Sequence, residues 1–261
     1  MRAKKRFGQN FLRDERIIER IVAAAGVRDG DRILEIGPGD GALTADMLYS
    51  GARVTSIEID RDLAEFLRSR FASEERFQLV IGDALSADLV QYAGEGGIKI
   101  VANLPYNIST PMLQRFIAIK DSISTMTLMF QREVVDRIAA LPGNSDRGFL
   151  SVMVEDVFFV EKLFDIPPTA FSPVPKVWSS VARFTPRDDS YQDAVSFRKL
   201  VSAAFAQKRK TLENNLKRLY PEFKEIAEAI DIDPRARAEV LTLEQWRDLA
   251  GAIQARKNQS H

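Results

Sequence analysis

The chain has 261 residues, with 37 Lys and Arg against 37 Asp and Glu, no cysteine and one histidine, the last residue His261. At roughly 150 residues per domain this is one large domain, or one with a small companion, and 45% apolar with 28% charged residues excludes a disordered or collagen-like chain. Disulfides are impossible, and a lone imidazole at the chain end leaves no material for a Ser-His-Asp triad, a thiol nucleophile or a His/Cys zinc site, so chemistry falls to amides, carboxylates, hydroxyls, Lys/Arg, aromatics or a bound cofactor.

Met1 leads straight into Arg2, Lys4, Lys5 and Arg6 with no apolar leader, and no apolar run approaches the roughly 18 residues of a membrane span. A cytoplasmic protein without a membrane partner is therefore expected. This basic start, which Arg13 closes without an intervening acid, suits phosphates. From Asp14 to Ala25 the spacing of Ile17, Ile18, Ile21 and Val22 predicts a helix capped by Asp14. Strand-like runs then alternate with helical ones: Arg32 to Ile36 and Ala42 to Ser50; Arg53 to Ile57 and Arg61 to Phe71; Phe77 to Ile81; Lys99 to Ala102 and Thr110 to Ile119; Thr125 to Phe130 and Glu133 to Leu141. Right-handed βαβ units make this a parallel sheet covered on both faces.

Within the first unit, Glu35-Ile-Gly37-Pro-Gly39-Asp-Gly41-Ala falls between strand and helix, where glycines let the backbone approach a ligand and the helix start adds free N–H donors. Glu58, ending the second strand, stands where an acid grips ribose hydroxyls. An adenosine-containing cofactor is expected, with NAD and S-adenosylmethionine both open at this point. Asp83, after the third strand, is placed to accept from an adenine amino group, although Gly-Asp is also ordinary turn chemistry. Asn103-Leu104-Pro105-Tyr106 follows the fourth strand at the carboxyl edge of the sheet. A base amine is a poor nucleophile because its lone pair is delocalised into the ring. The Asn103 amide oxygen and the Leu104 carbonyl, turned outward by Pro105, can accept its hydrogens, while Tyr106 supplies a stacking face.

The pattern changes after residue 148. Phe149 to Asp156 reads as a helix, Val157 to Ile166 and Val177 to Phe184 as two strands added at the sheet edge, and Thr185 to Asp193 as a linker. The rest is helical, with a capping box at Thr242 and Gln245. The stretch from Arg198 to Arg218, taken as one helix, holds seven basic residues against Glu213 alone. Trp178 and Trp246 are expected in the core.

Phe7-Gly-Gln-Asn-Phe-Leu12, Ile33 to Gly39, Glu58-Ile-Asp60, Gly82-Asp-Ala-Leu85, Asn103 to Thr110, Phe130-Gln-Arg-Glu133, Phe171 to Val177 and Lys208-Arg-Lys-Thr-Leu212 with Asn215 resemble the ribosomal RNA adenine N6,N6-dimethyltransferase family over nearly the whole chain, and within it the bacterial small-subunit (16S) branch. The resemblance implies an α/β class I S-adenosylmethionine-dependent methyltransferase fold, a Rossmann-like seven-stranded mostly parallel sheet over residues 1–186, with a small all-α domain contacting rRNA over 187–261. It implies S-adenosylmethionine as cofactor, held by Asn10, Leu12, Gly37, Glu58, Asp83 and Asn103. The target adenine would lie among Asn103, Leu104, Pro105, Tyr106 and Phe171. Methyl groups would pass by in-line displacement to the exocyclic N6 of two adjacent adenines in the 3′-terminal hairpin of small-subunit rRNA, without a strong general base. Arg2, Lys4, Lys5, Arg6, Lys208, Arg209 and Lys210 would contact RNA phosphates. No metal is implied, and the partner is small-subunit rRNA, within an immature particle, met by a monomer. Arg147 and Trp178 depart from the family pattern and are expected to bear on the RNA surface. Rival readings are a large-subunit (23S) dimethyltransferase of the antibiotic-resistance type and a non-catalytic assembly factor. An N6-adenine DNA methyltransferase would carry an acid where Asn103 stands, and a dehydrogenase would need a proton donor not evident here.

Overall fold

A computed structural model describes residues 10–94, 96–105 and 108–259. In chain order its elements are β1 (Phe11–Leu12), α1 (Glu15–Ala24), β2 (Arg32–Ile36), α2 (Ala42–Tyr49), β3 (Arg53–Glu58), α3 (Arg61–Arg70), β4 (Phe77–Ile81), β5 (Ile98–Asn103), α4 (Ser109–Ala118), β6 (Ile123–Gln131), α5 (Arg132–Ile138), α6 (Phe149–Val157), β7 (Phe158–Ile166), β8 (Phe171–Ser172), β9 (Ser179–Pro186), α7 (Ala194–Ala204), α8 (Leu212–Leu216), α9 (Phe223–Glu228) and α10 (Leu243–Gln259). Among the described residues no helix is long and apolar enough to cross a membrane.

Seven strands form one sheet in the order β4–β3–β2–β5–β6–β9–β7, parallel from β4 through β6 and antiparallel where β9 joins β6. The central strands read as continuous apolar runs because helices cover both faces: Ile33, Leu34 and Ile36 of β2 and Ile100, Val101 and Ala102 of β5 are all buried. From β2 the chain winds outward through β3 and β4, then returns to place β5 on the other side. The strand order therefore reverses between β2 and β5, and the crevice past their carboxyl ends is where this class of sheet takes ligands.

Local chemistry sets the element ends. The Asp14 carboxylate accepts the Arg16 and Ile17 N–H groups and opens α1, and Asp60 does the same for α3 through Asp62. β1 and β8, two residues each, were not legible in the sequence. They pair antiparallel, Leu12 opposite Phe171, and the Arg13 N–H donates to the Ala170 carbonyl at 2.8 Å.

The chain divides into two compact units: Met1–Val135 with Phe159–Pro186, and Asp136–Phe158 with Arg187–His261. A single cut at 186/187 thus misplaces residues 136–158. The reason is α6, which packs against α7 and α10 and whose Val152, Val154 and Val157 are buried.

Three further expectations change in the second unit. Residues Arg198 to Arg218 are two helices, α7 and α8, joined by a loop that the Asn215 amide ties down by donating to the Ala204 carbonyl at 2.7 Å. The expected linker is an ordered turn: the Tyr191 N–H donates to the Asp156 carboxylate, and Arg247 bridges Asp156 at 2.9 Å and Asp189 at 3.0 Å. Arg147, expected at the RNA surface, is only 1% exposed. It donates to the Ala140 carbonyl at 2.8 Å and pairs with Glu155, so its charge is paired inside the unit although its buried Nε has no hydrogen-bond partner. The capping box stands, with Thr242 and Gln245 exchanging side chain-to-backbone bonds of 3.0 and 3.2 Å, and Trp246 is fully buried.

Candidate active site

The crevice between β2 and β5 is a cleft of about 320 Å³, enough for a nucleoside-sized ligand. Its floor is the loop after β2. Gly37, Gly39 and Gly41 all have positive φ, +67°, +61° and +82°, which side-chain-bearing residues rarely adopt. At Gly41 space is equally decisive, because a Cβ there would lie 2.7 Å from the Phe71 ring, whereas one on Gly37 would only touch the Pro105 ring at 3.6 Å.

Two buried acids flank this loop. Glu58, at the end of β3, accepts the Asp60 N–H at 2.8 Å, yet burial holds its carboxyl above the usual range against that bond. Glu35 is more perturbed. Its Oε2 accepts the hydroxyls of Thr44 at 2.6 Å and Ser56 at 2.7 Å, whereas its buried Oε1 has no hydrogen-bond partner. Burial, with the Glu58 charge adding and both hydroxyls opposing, pushes the Glu35 carboxyl up to about 7.

The remaining walls come from strand ends and from the β1–β8 pair. Asn103 ends β5. Leu104 is fully buried and its N–H donates to the Met129 carbonyl at 3.3 Å, and the Pro105 carbonyl accepts the Ile108 N–H at 3.0 Å. These bonds hold the Asn103–Pro105 segment beside the glycine loop. Asp83 Oδ1 accepts the Leu85 N–H at 2.9 Å, so its turn role is real and coexists with its place in the cleft wall. Arg115, on α4, donates to the Leu85 and Ala87 carbonyls and so ties the Asp83 loop to the helix that follows the Asn103 segment.

Asn10, Leu12, Gly37, Glu58, Asp83, Asn103, Leu104, Pro105 and Phe171 all line this one cleft. Tyr106 lies outside the described residues, as do Arg2, Lys4, Lys5 and Arg6. Lys208, Arg209 and Lys210 are exposed in the loop between α7 and α8 of the second unit. Sequence reasoning missed Glu35, although an acid two positions before Gly37 at the end of a buried strand is a readable signal. It also missed Phe11, whose ring a Cβ on Gly39 would meet at 3.3 Å, and Ile59, a half-exposed apolar lining residue. Nothing in the sequence marked Arg115.

The family model for ribosomal RNA adenine dimethylase matches residues 1–255. The ribosomal RNA small subunit methyltransferase A of Pseudomonas aeruginosa is 46% identical over 97% of this chain and 95% of its own length. That of Hahella chejuensis is 42% identical over 96% and 93%. Among solved structures, a dimethyladenosine transferase from Plasmodium falciparum superposes with a TM-score of 0.84 at 25% identity over 95% of this chain and 98% of its own. The 23S rRNA methyltransferase ErmE gives 0.72 at 27% identity over 94% and 100%.

Proposed function

The chain belongs to the ribosomal RNA adenine dimethylase family, and on that premise we propose that the cleft transfers methyl groups to the exocyclic N6 of two adjacent adenines in the 3′-terminal hairpin of small-subunit (16S) rRNA. It is an S-adenosylmethionine-dependent rRNA methyltransferase with a class I α/β fold. The observation that carries the reading is the convergence, in one cleft, of a glycine floor, two buried carboxylates and the Asn103-Leu104-Pro105 segment.

The residues fit the cofactor. Glu58, at the end of β3, is a carboxylate for ribose hydroxyls. The Asp83 loop and Ile59 offer an acceptor and an apolar surface to an adenine. The unpartnered, buried Oε1 of Glu35 suits the cofactor's ammonium group. When bound, S-adenosylmethionine supplies a methyl on a positively charged sulfur. The chain's own part is positioning and exclusion of water. Asn103 and the Leu104 carbonyl accept the amine hydrogens and free its lone pair for attack, Pro105 fixes that carbonyl, and Tyr106 and Phe171 stack the base. Asn10, Leu12 and Gly37 complete the cofactor wall. With His261 as the sole imidazole, no strong base is at hand. None is needed, because the methylated ammonium loses its proton to water.

Arg2, Lys4, Lys5, Arg6, Lys208, Arg209 and Lys210 would supply phosphate contacts, the second unit serving the RNA. The substrate would be an immature small subunit and the enzyme a monomer. The 23S reading has the ErmE likeness in its favour, but the higher identity of the small-subunit relatives supports the 16S target. Labelled methyl transfer to undermethylated small subunits, with large subunits and DNA in parallel, tests the choice. Dimethyladenine on the small subunit alone is expected, and label on the large subunit alone refutes the target.

A further inference from the structure

The segment from Phe171 to Trp178 begins in the cleft and ends on a ring in water. Trp178 is 43% exposed, against expectation for a residue that usually fills a core. It is held from two directions: the Arg132 N–H donates to its carbonyl at 2.9 Å, and the Arg132 guanidinium carbon lies 5.7 Å from the ring centroid. Val174, Lys176 and Val177 beside it are exposed as well.

Sheet register places this ring relative to the reacting segment. Asn103 is opposite Met129, and Met129 is opposite Val181. Trp178 therefore sits two strands across from Asn103 and three residues beyond it, on the same carboxyl edge. At ~4.8 Å between strands and ~3.3 Å per residue the two backbones are about 14 Å apart. An unstacked strand covers that distance in about two nucleotides.

We propose that the Trp178 indole, with Arg132 over it, is a stacking platform for an rRNA base flanking the target adenine. The ring face takes any base, and the cations of Arg132 and Lys176 complement the adjoining phosphates. The platform rests on the rRNA-methyltransferase reading and adds to it a residue that reads the substrate strand outside the cleft.

The two tryptophans make the test direct, because Trp246 is fully buried and collisional quenching by acrylamide reports Trp178. A target-hairpin oligoribonucleotide should shield the quenchable fluorescence of the full chain. Trp178→Ala should raise the KM for RNA about tenfold with kcat within about twofold, leave S-adenosylmethionine binding by calorimetry unchanged, and be largely rescued by Trp178→Phe. An RNA made abasic at the flanking position should abolish the difference between wild type and Trp178→Ala, which a merely structural role would not do. Normal wild-type transfer with an unaltered KM in Trp178→Ala overturns the platform alone. A wild-type chain that binds the cofactor yet methylates no rRNA overturns the underlying reading and the platform with it.

Discussion

Replacing Glu35 with Gln isolates the cost of a charge buried against the glycine loop. Its carboxyl is raised from 4.5 to about 7 by burial, with Glu58 adding and the Thr44 and Ser56 hydroxyls opposing. At ~1.36 kcal/mol per pH unit, ionising it in the fold costs about 3 kcal/mol. A carboxyl whose folded pKa exceeds the unfolded one contributes stability that is full below about 4.5 and lost as pH rises through about 7. Glu35→Gln keeps an acceptor for both hydroxyls and carries no charge. Urea unfolding of the unliganded variant should therefore show a gain of about 3 kcal/mol near pH 8.5 and only about 1 kcal/mol near pH 5. The same change removes the partner proposed for the cofactor's ammonium, so S-adenosylhomocysteine should bind about tenfold more weakly at the higher pH. Wild-type affinity should decline below about pH 7, as the carboxyl takes up its proton. If variant and wild type lose stability in parallel as pH rises, Glu35 does not carry a buried charge that the fold must ionise.

Gly41→Ala forces a side chain into a positive φ and against Phe71 and Leu67, and should destabilise by about 2–3 kcal/mol in urea titrations; a loss under 1 kcal/mol would show that the loop yields. Asn103→Ala should lower single-turnover methyl transfer by about 10²–10³-fold, as for other preorganised polar groups, with the protein still folded; retention of near-normal turnover would remove Asn103 from the chemistry. Arg115→Ala frees the Leu85 and Ala87 carbonyls and should weaken cofactor binding about tenfold by calorimetry, with little change in kcat once saturated. Exchanging Lys208, Arg209 and Lys210 for Gln should flatten the dependence of subunit binding on salt, by about 0.7–0.9 in the log–log slope for each phosphate no longer neutralised, and an unchanged slope would place RNA elsewhere.

How much of this was written in the sequence depends on the range of the interaction that decides each feature. The strands of the parallel sheet and their helices follow from periodicity and local caps, and their bounds agree with the structure to within a few residues. The glycine floor, Glu58, Asp83 and Asn103 were legible because strand ends in such a sheet converge on one edge. β1 and β8 were not, since two-residue strands carry no period and exist only through each other. The surface expectation for Arg147 and the core expectation for Trp178 failed for one reason, while the other reading of Trp178, as bearing on the surface, agrees with its exposure: neither charge nor ring size dictates burial without knowledge of what packs around it. Arg147 finds a carbonyl and a carboxylate inside, whereas Trp178 meets an arginine at the surface. Arg115 satisfies backbone carbonyls of a loop distant in sequence, which no motif announces.

The pairing of Leu12 with Phe171 also bears on how the enzyme comes into being. A chain made from its amino end completes β2, the glycine loop and Asn103 while the partner of β1 has yet to be synthesised. One wall of the cleft, Phe11 and Phe171, closes only when nearly the whole catalytic unit is out. Such late, long-range closure is slow to form and easily undone by truncation. On the proposed roles of this wall, cofactor affinity should report a completed catalytic unit: a fragment ending before residue 171 would keep every glycine of the floor and still lack the clasp that shuts over it.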